Sequence, residues 1–275
     1  MDKILNGLEV SNIIKKDLIN EIKSTKKELK LVVYEIGNDP ASKIYVSKKK
    51  ALCEEVGIKF VLKKYDSIKE EDLIKEIEKD NKDKTVTSIL VQLPLPKSIN
   101  TDNVLQKIDY KKDVDGLTTI NQGLLYRNEK GIVPCTALGI IKLLDYYNIP
   151  LEGKNVVVLG RSSLVGLPVS LLLLHKNATV TMCHSKTKDL NKITKSADIL
   201  ISAIGKAKIV TSNMIKKGSV IVDVGINRDN NKICGDVDFD KVIKKASVIT
   251  PVPKGIGPMT VIMLINNIIE CYKLQ

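Results

Sequence analysis

The stretch VVVLGRSSLVGLP, residues 156–168, runs from four apolar residues through a glycine turn into the start of a helix. A strand, a glycine turn and a helix N-terminus, in that order, is where a pyrophosphate meets helical backbone amides. The spacing is G-x-S-x-x-x-G, through Gly160, Ser162 and Gly166, and departs from the usual G-x-G-x-x-G. The turn alone is weak evidence, but the chain beyond it continues in the same style. ATVTM (178–182), DILISAIG (198–205), SVIVDVG (219–225) and SVITPVP (247–253) are near-continuous apolar runs, with helical patterns over 163–175, 187–195 and 211–216 between them. Strands that read apolar throughout are buried on both faces, which is the signature of a parallel sheet covered by helices.

Upstream, the pattern is the same. A helix over 6–28 leads to the strand LKLVVYEIG (29–37), a helix over 41–56, KFVLKKY (59–65), a helix over 69–80 and SILVQLPLP (88–96). KDVDG (112–116) and an NQGLLY loop (121–126) then precede a helix over 136–147, and a final helix covers 257–273. Two such series predict two α/β domains with a boundary near 120–150. RDNNK (228–232) reads as a surface turn.

The net charge of +12 invites a nucleic-acid reading, but the 41 lysines against 3 arginines are interleaved with Glu and Asp along helical segments. Base and phosphate forks favour arginine, so a lysine-biased solvated surface is the better account, with no nucleic-acid partner. The opening MDKILNGLEVSNIIKK lacks the basic-then-apolar order of a signal peptide, and no apolar run approaches a membrane span. Five widely spaced cysteines form no metal or disulfide pattern, and Cys183-His184 is adjacent, not helically spaced. The expectation is a soluble, cytoplasmic protein with no metal site and no membrane partner.

Which dinucleotide is bound turns on the end of the second strand. An NAD site usually carries an acid there, about twenty residues past the glycine turn, to hold the ribose 2′-hydroxyl. Here ATVTM runs into Cys183-His184-Ser185-Lys186-Thr187 without a carboxylate, and Arg161 stands in the glycine turn. A cation, a hydroxyl and a second cation suit a 2′-phosphate, so NADP is the expected cofactor, unless Arg161 is a plain surface residue. His184 reads as a neutral strand-end residue.

In KIYVSKKKALCEEVG (43–57), Asp39-Pro40 supplies a helix start and Gly57 a helix stop. At about 100° per residue, Tyr45, Val46, Leu52, Cys53 and Val56 share one arc. Lys49 lies near its centre, one turn after Tyr45, while Lys48 and Lys50 fall outside its edges. Lys49 is therefore either a stem snorkelling from a packed face or a partly buried amine beside an aromatic ring.

At this point the motifs GNDPASKIYVSKKKALCEEVGI, ILVQLPLP, KDVDGLTTIN, PCTALGI, GRSSLVGLP, CHSKT, IVDVGIN, GDVDF and TPVPKGIGPMT occur in the order and spacing of a known family. The chain resembles, over essentially its whole length, the bifunctional methylenetetrahydrofolate dehydrogenase/cyclohydrolases. The resemblance implies NADP-linked oxidation of 5,10-methylenetetrahydrofolate, hydrolysis of the product to 10-formyltetrahydrofolate, tetrahydrofolate derivatives as partners, and a homodimer. It implies a folate-binding catalytic domain at 1–135, a Rossmann-like NADP domain at 136–256, and a C-terminal helix at 257–275 returning to the first domain. Carried over by residue, Tyr45 stacks on the folate, Lys49 is the catalytic amine, Gln92 contacts it, and Asp115 holds the pterin. Val91, Leu93, Pro253, Gly255, Ile256 and Gly257 line the folate site, and Gly160, Arg161, Ser162, Ser185 and Ile226 contact the cofactor. Two positions depart from the family pattern: Ala137 and Lys254 stand where proline and glycine are usual. Lys254 puts the conformation of the substrate loop in question and could attract the anionic glutamate tail of folate. The competing reading is an NADP-linked dehydrogenase of another small substrate, which leaves Tyr45, Lys49, Gln92 and Asp115 unexplained.

Overall fold

In the computed structural model, which describes residues 3–229 and 232–275, the chain divides into two compact units. The first comprises Ile14–Pro134 with Val261–Gln275; the second comprises residues 3–13 with Cys135–Thr260. The division falls within helix α1 (Gly7–Lys23). In the first unit β1 (Lys30–Ile36), α2 (Pro40–Val56), β2 (Lys59–Tyr65), α3 (Glu70–Lys82) and β3 (Ser88–Val91) form a parallel sheet in the order β2-β1-β3. Two short helices follow, α4 (Thr101–Leu105) and α5 (Thr119–Tyr126). β1 is central, and Leu31 to Ile36 are all buried, as a strand covered on both faces requires. Val32 and Ile36 pack with Leu73 and Ile77 of α3 and Ile89 of β3. The Tyr34 hydroxyl, in the same core, donates to Asp80 at 2.6 Å, and Lys63 pairs with Asp80 and Glu76. The chain steps from β1 one way to β2 and the other way to β3, so the C-terminal ends of β1 and β3 flank a topological switch point.

The second unit begins with α6 (Cys135–Tyr146) and alternates β4 (Asn155–Leu159), α7 (Gly166–His175), β5 (Thr179–Cys183), α8 (Leu190–Lys195), β6 (Ile199–Ser202) and β7 (Val220–Asp223). An antiparallel hairpin, β8 (Asn227–Asp229) and β9 (Lys232–Cys234), precedes the short α9 (Phe239–Val242) and β10 (Val248–Ile249). The main sheet is parallel in the order β10-β7-β6-β4-β5, the doubly wound Rossmann-like plan expected from the apolar runs. Its switch point lies between β4 and β6. The last helix, α10 (Ile256–Leu274), starts in the second unit, and from Val261 onward belongs to the first. There Asn267 Nδ2 donates to the carbonyls of Val114 and Val133.

The two-domain α/β reading holds, and local details differ. NQGLLY is not a loop but most of α5, whose N-cap Thr118 accepts from the Asn121 amide; Gly123 within it disguises the helix. The pattern at 211–216 yields only a single 3₁₀ turn, Ser212–Met214, because Ile215 goes extended into the core and Gly218 turns the chain at φ +81°. RDNNK is flanked by hairpin strands; its Asn230 and Asn231 lie outside the described residues.

Candidate active site

Helix α2 has its phase fixed at both ends. The Asp39 carboxylate accepts from the Ser42 amide at 2.7 Å, Pro40 occupies the first turn, and Gly57 closes the helix at φ +83°. That phase buries Val46, Cys53 and Val56, leaves Lys48 and Lys50 exposed, and half-buries Lys49. Lys50 only pairs weakly with Glu54 at 3.8 Å. Lys49 Nζ instead donates to Gln92 Oε1 at 3.1 Å. Gln92 is itself fixed: its backbone amide donates to the Tyr34 carbonyl at 2.8 Å, and its Nε2 donates to the Leu93 carbonyl at 2.8 Å. With Nε2 so engaged, the acceptor end of the amide faces the lysine. Tyr45, one turn before Lys49, is exposed, with its ring open to a partner. Beneath the helix, burial pushes the Cys53 thiol up to about 12, so this cysteine is not a nucleophile.

Asp115 sits on a loop that runs beside β3. A parallel bridge joins Ile89 to Asp113, so in that register Asp115 is level with Val91, one residue before Gln92. The loop is pinned from several directions. Asp113, 2% exposed, accepts from the Thr118 amide at 2.7 Å and from Asn121 Nδ2 at 3.0 Å, and its burial raises its pKa. Asn267 holds the Val114 carbonyl at 2.9 Å. Gly116 is at φ +66°, and a Cβ there would lie 2.5 Å from the Ile132 carbonyl oxygen. Lys112 is buried and donates to the carbonyls of Asp80, Asn81 and Asp83, capping the end of α3; burial lowers its pKa. The family resemblance singled out Asp115 but not Asp113, Asn121, Lys112 or Asn267, which fix the surrounding backbone.

Of the remaining proposed folate residues in the first unit, Leu93 is half-buried and Val91 ends β3 with its side chain in the core, so Val91 can offer a ligand only its backbone. In the second unit Pro253 and Lys254 are exposed, Gly257 is half-buried and Ile256 is buried. Gly255 is required, since a Cβ would stand 2.4 Å from the Pro251 carbonyl oxygen. Lys254 adopts φ +83°, and its carbonyl accepts from the Leu8 amide at 3.0 Å. Lys254 thus keeps a left-handed backbone, at a cost of about 1–2 kcal/mol. Glycine loses about 0.5–1 kcal/mol more backbone entropy on folding. Lys254→Gly is therefore expected to stabilise the protein by about 0.5–1 kcal/mol net in chemical denaturation. A loss of stability would show that the lysine side chain is packed.

The glycine turn after β4 is forced by close backbone approach. Gly160 is at φ +115°, and a Cβ on it would lie 2.4 Å from the carbonyl oxygen of Ala203, which follows β6 across the switch point. A Cβ on Gly166 would lie 2.2 Å from the Gly160 carbonyl oxygen. Ser162 Oγ accepts from the Val165 amide at 3.2 Å, fixing the turn into α7. On the neighbouring strand, His184 Nδ1 accepts from the Lys186 amide at 3.2 Å and Thr187 Oγ1 accepts from the His184 amide at 2.9 Å. Leu159 pairs with Cys183 at the end of the ladder, and Arg161 and Ser185 each follow two residues beyond these paired strand ends. Arg161, Ser162, Ser185 and Lys186 are exposed, as is Ile226 after β7. The cradle admits only glycine at positions 160 and 166 and carries cations but no acid, which fits a dinucleotide with an extra phosphate. Among the described residues there is no cluster of three metal-type ligands.

Sequence reading also passed over a pair of buried acids in this unit, Asp223 and Asp236. Asp223 accepts from the amides of Gly225, Asp236 and Val237. Burial first, and the Asp236 charge second, push its pKa up to about 7. The available signal was the pair of triplets Asp-Val-Gly (223–225) and Gly-Asp-Val (235–237), each an acid among small and apolar residues.

A half-buried lysine gripped by an amide at one sheet switch point, and a glycine cradle at another, define a two-domain dinucleotide-dependent enzyme. Residues 5–115 match the family model described as tetrahydrofolate dehydrogenase/cyclohydrolase, catalytic domain, and residues 134–275 match that family's NAD(P)-binding domain. A protein of Agathobacter rectalis named bifunctional protein FolD is 50% identical, covering 99% of this chain and 100% of its own. The crystal structure of the bifunctional enzyme FolD, methylenetetrahydrofolate dehydrogenase/cyclohydrolase, from Campylobacter jejuni is 46% identical with a TM-score of 0.96, covering 98% of both chains. The Trypanosoma brucei methylenetetrahydrofolate dehydrogenase-cyclohydrolase, solved with NADP cofactor and an inhibitor, is 36% identical with a TM-score of 0.93 over 98% of this chain and 97% of that one. The chain belongs to the tetrahydrofolate dehydrogenase/cyclohydrolase family.

Proposed function

We propose that this chain oxidises 5,10-methylenetetrahydrofolate to 5,10-methenyltetrahydrofolate with NADP, then hydrolyses the methenyl compound to 10-formyltetrahydrofolate. The observation that carries this reading is the 3.1 Å contact from Lys49 Nζ to Gln92 Oε1 at the C-terminal edge of the first unit's sheet. Bound NADP supplies the hydride acceptor for the one-carbon bridge. That step needs alignment of the bridge more than it needs an acid. The Tyr45 ring stacks on the folate, and the Asp115 carboxylate accepts from the pterin's amino and ring N–H donors.

Hydrolysis needs more. Water adds to the cationic methenyl carbon, and its oxygen loses both protons as the formyl C=O forms; one proton goes to the ring nitrogen as its bond to that carbon breaks, and the other is released to solvent. Lys49, withdrawn from bulk water and aimed by Gln92, relays these protons. A neutral amide is suited to the aiming, because its oxygen accepts the amine's hydrogen bond at 3.1 Å without forming an ion pair. Leu93 and the backbone of Val91 complete the first unit's contribution. Pro253, Gly255, Ile256 and Gly257 are proposed folate contacts on the resemblance alone.

Gly160 and Ser162 would hold the pyrophosphate, Arg161 and Ser185 the 2′-phosphate, and Ile226 would offer an apolar contact. We further propose a folate-binding catalytic domain at 1–135, an NADP domain at 136–256, and a helix at 257–275 on the catalytic domain. The proposal includes a cytoplasmic homodimer without nucleic-acid or membrane partners. Among the described residues no helix is long and apolar enough to cross a membrane.

Asp115→Ala is the test of the folate assignment. A charge-assisted hydrogen bond contributes about 1.5–3 kcal/mol, so folate affinity is expected to fall by about tenfold to a hundredfold, with NADP affinity unchanged. Isothermal titration of each ligand measures both. An equal loss of the two would make Asp115 a structural turn residue.

A further inference from the structure

We propose that Asp236 is a positioning residue for the cofactor, holding together the two backbone segments that leave β6 and β7 at the sheet's C-terminal edge. The inference rests on the NADP reading above and goes beyond it, because Asp236 is fully buried and belongs to none of the cofactor contacts already assigned. Its carboxylate accepts from five donors. Oδ2 receives Ser202 Oγ at 3.0 Å and the amides of Ile204 at 2.8 Å and Gly205 at 3.2 Å. Oδ1 receives the Lys206 amide at 3.0 Å and Asn227 Nδ2 at 2.9 Å.

Three of these donors are successive amides of the segment that begins at Ala203, whose carbonyl closes over Gly160. The Asn227 donor sits one residue past Ile226, which is 53% exposed at the same edge. One carboxylate thus ties the segment facing the glycine turn to the segment that presents Ile226. In an open α/β sheet a dinucleotide lies across this edge, so the separation of the two segments sets the width of its berth.

The packing around the carboxylate leaves little slack. A Cβ on Gly225 would stand 2.0 Å from Asp236 Oδ1, and a Cβ on Gly235 would stand 1.8 Å from Asp223 Oδ2. Asp223 in turn holds the backbone amides of Asp236 and Val237. Each acid is seated on a glycine of the other's segment, so Asp236 cannot drift without moving the segments it ties. The role is positioning and not catalytic, because the carboxylate is fully buried and already engaged by five protein donors.

Asp236→Asn keeps the shape but turns one oxygen into a donor facing backbone N–H groups or Asn227. The expected result is a rise of about tenfold or more in the NADP dissociation constant by calorimetry, the scale on which sub-ångström misplacement of a binding group acts. The KM for NADP should rise in parallel with kcat kept at saturating cofactor. Hydrolysis of methenyltetrahydrofolate without NADP should stay within about twofold of wild type, which a general loss of fold would not permit. If the variant does not fold, Asn227→Ala removes one of the five donors and should raise the NADP dissociation constant by about threefold, with hydrolysis again preserved. A folded Asp236→Asn that binds NADP as wild type does, or an Asn227→Ala without effect where the first variant fails to fold, overturns the proposal. A wild-type protein that does not bind NADP overturns the functional reading, and this proposal with it.

Discussion

Lys49→Met is expected to lower hydrolysis of methenyltetrahydrofolate by at least about a hundredfold, the lower range for loss of a general acid–base. Methionine keeps the length and apolar character of the lysine stem, so the packed face of α2 stays filled. What disappears is the amine that donates to Gln92 at 3.1 Å. Dehydrogenation should persist at a measurable rate, because hydride departs without a proton from the enzyme. Lys48→Met and Lys50→Met serve as controls. Both side chains are exposed, and both variants should stay close to wild type. A neighbour as damaging as Lys49, with the fold intact, would mean that helical phase does not select the catalyst.

The second large effect concerns the choice of cofactor. Arg161 and Ser185 each follow two residues beyond the ends of adjacent parallel strands, Lys186 comes next, and no carboxylate stands at the end of β5. A 2′-phosphate there gains one or two charge-assisted bonds at about 1.5–3 kcal/mol each, giving a preference for NADP of about tenfold to a thousandfold in kcat/KM. Arg161→Ala should remove much of it by raising the KM for NADP, with little change for NAD. Steady-state kinetics with both cofactors on both proteins decides the matter. Equal use of NAD and NADP by the wild type would refute this reading of the pocket without touching the folate assignment.

Much of this was legible in the amino-acid order, for physical reasons. The uninterrupted runs LVVYEI and NVVVL can only be strands buried on both faces, and their alternation with helices dictates parallel sheets. The ends of α2 followed from its two caps, and its phase from the arc shared by Tyr45, Val46, Leu52, Cys53 and Val56, and with it the separation of Lys49 from Lys48 and Lys50. Features set by distant partners were not legible. Nothing local marks Asp236 as the acceptor of five donors from two separate segments, or Asn267 of α10 as the clamp on the loop that carries Asp115. Helix α5 was hidden because Gly123 and two amide side chains look like a loop until Thr118 is seen to cap it. The Lys254 question was posed by the sequence but answered only by its backbone, which accepts the left-handed conformation despite the side chain. For Val91 the apolar run itself implied a buried side chain, and the resemblance drew attention to the position, not to which atoms it could offer.

The decisive measurement supplies methylenetetrahydrofolate to the purified wild-type protein with NADP or with NAD, following the methenyl compound and its disappearance by absorbance. With NADP the methenyl compound should form and then decay to 10-formyltetrahydrofolate faster than without enzyme, and NAD should support the first step poorly. Failure to form the methenyl compound with either cofactor, by a folded protein that binds NADP, would contradict the assignment of this chain's substrate.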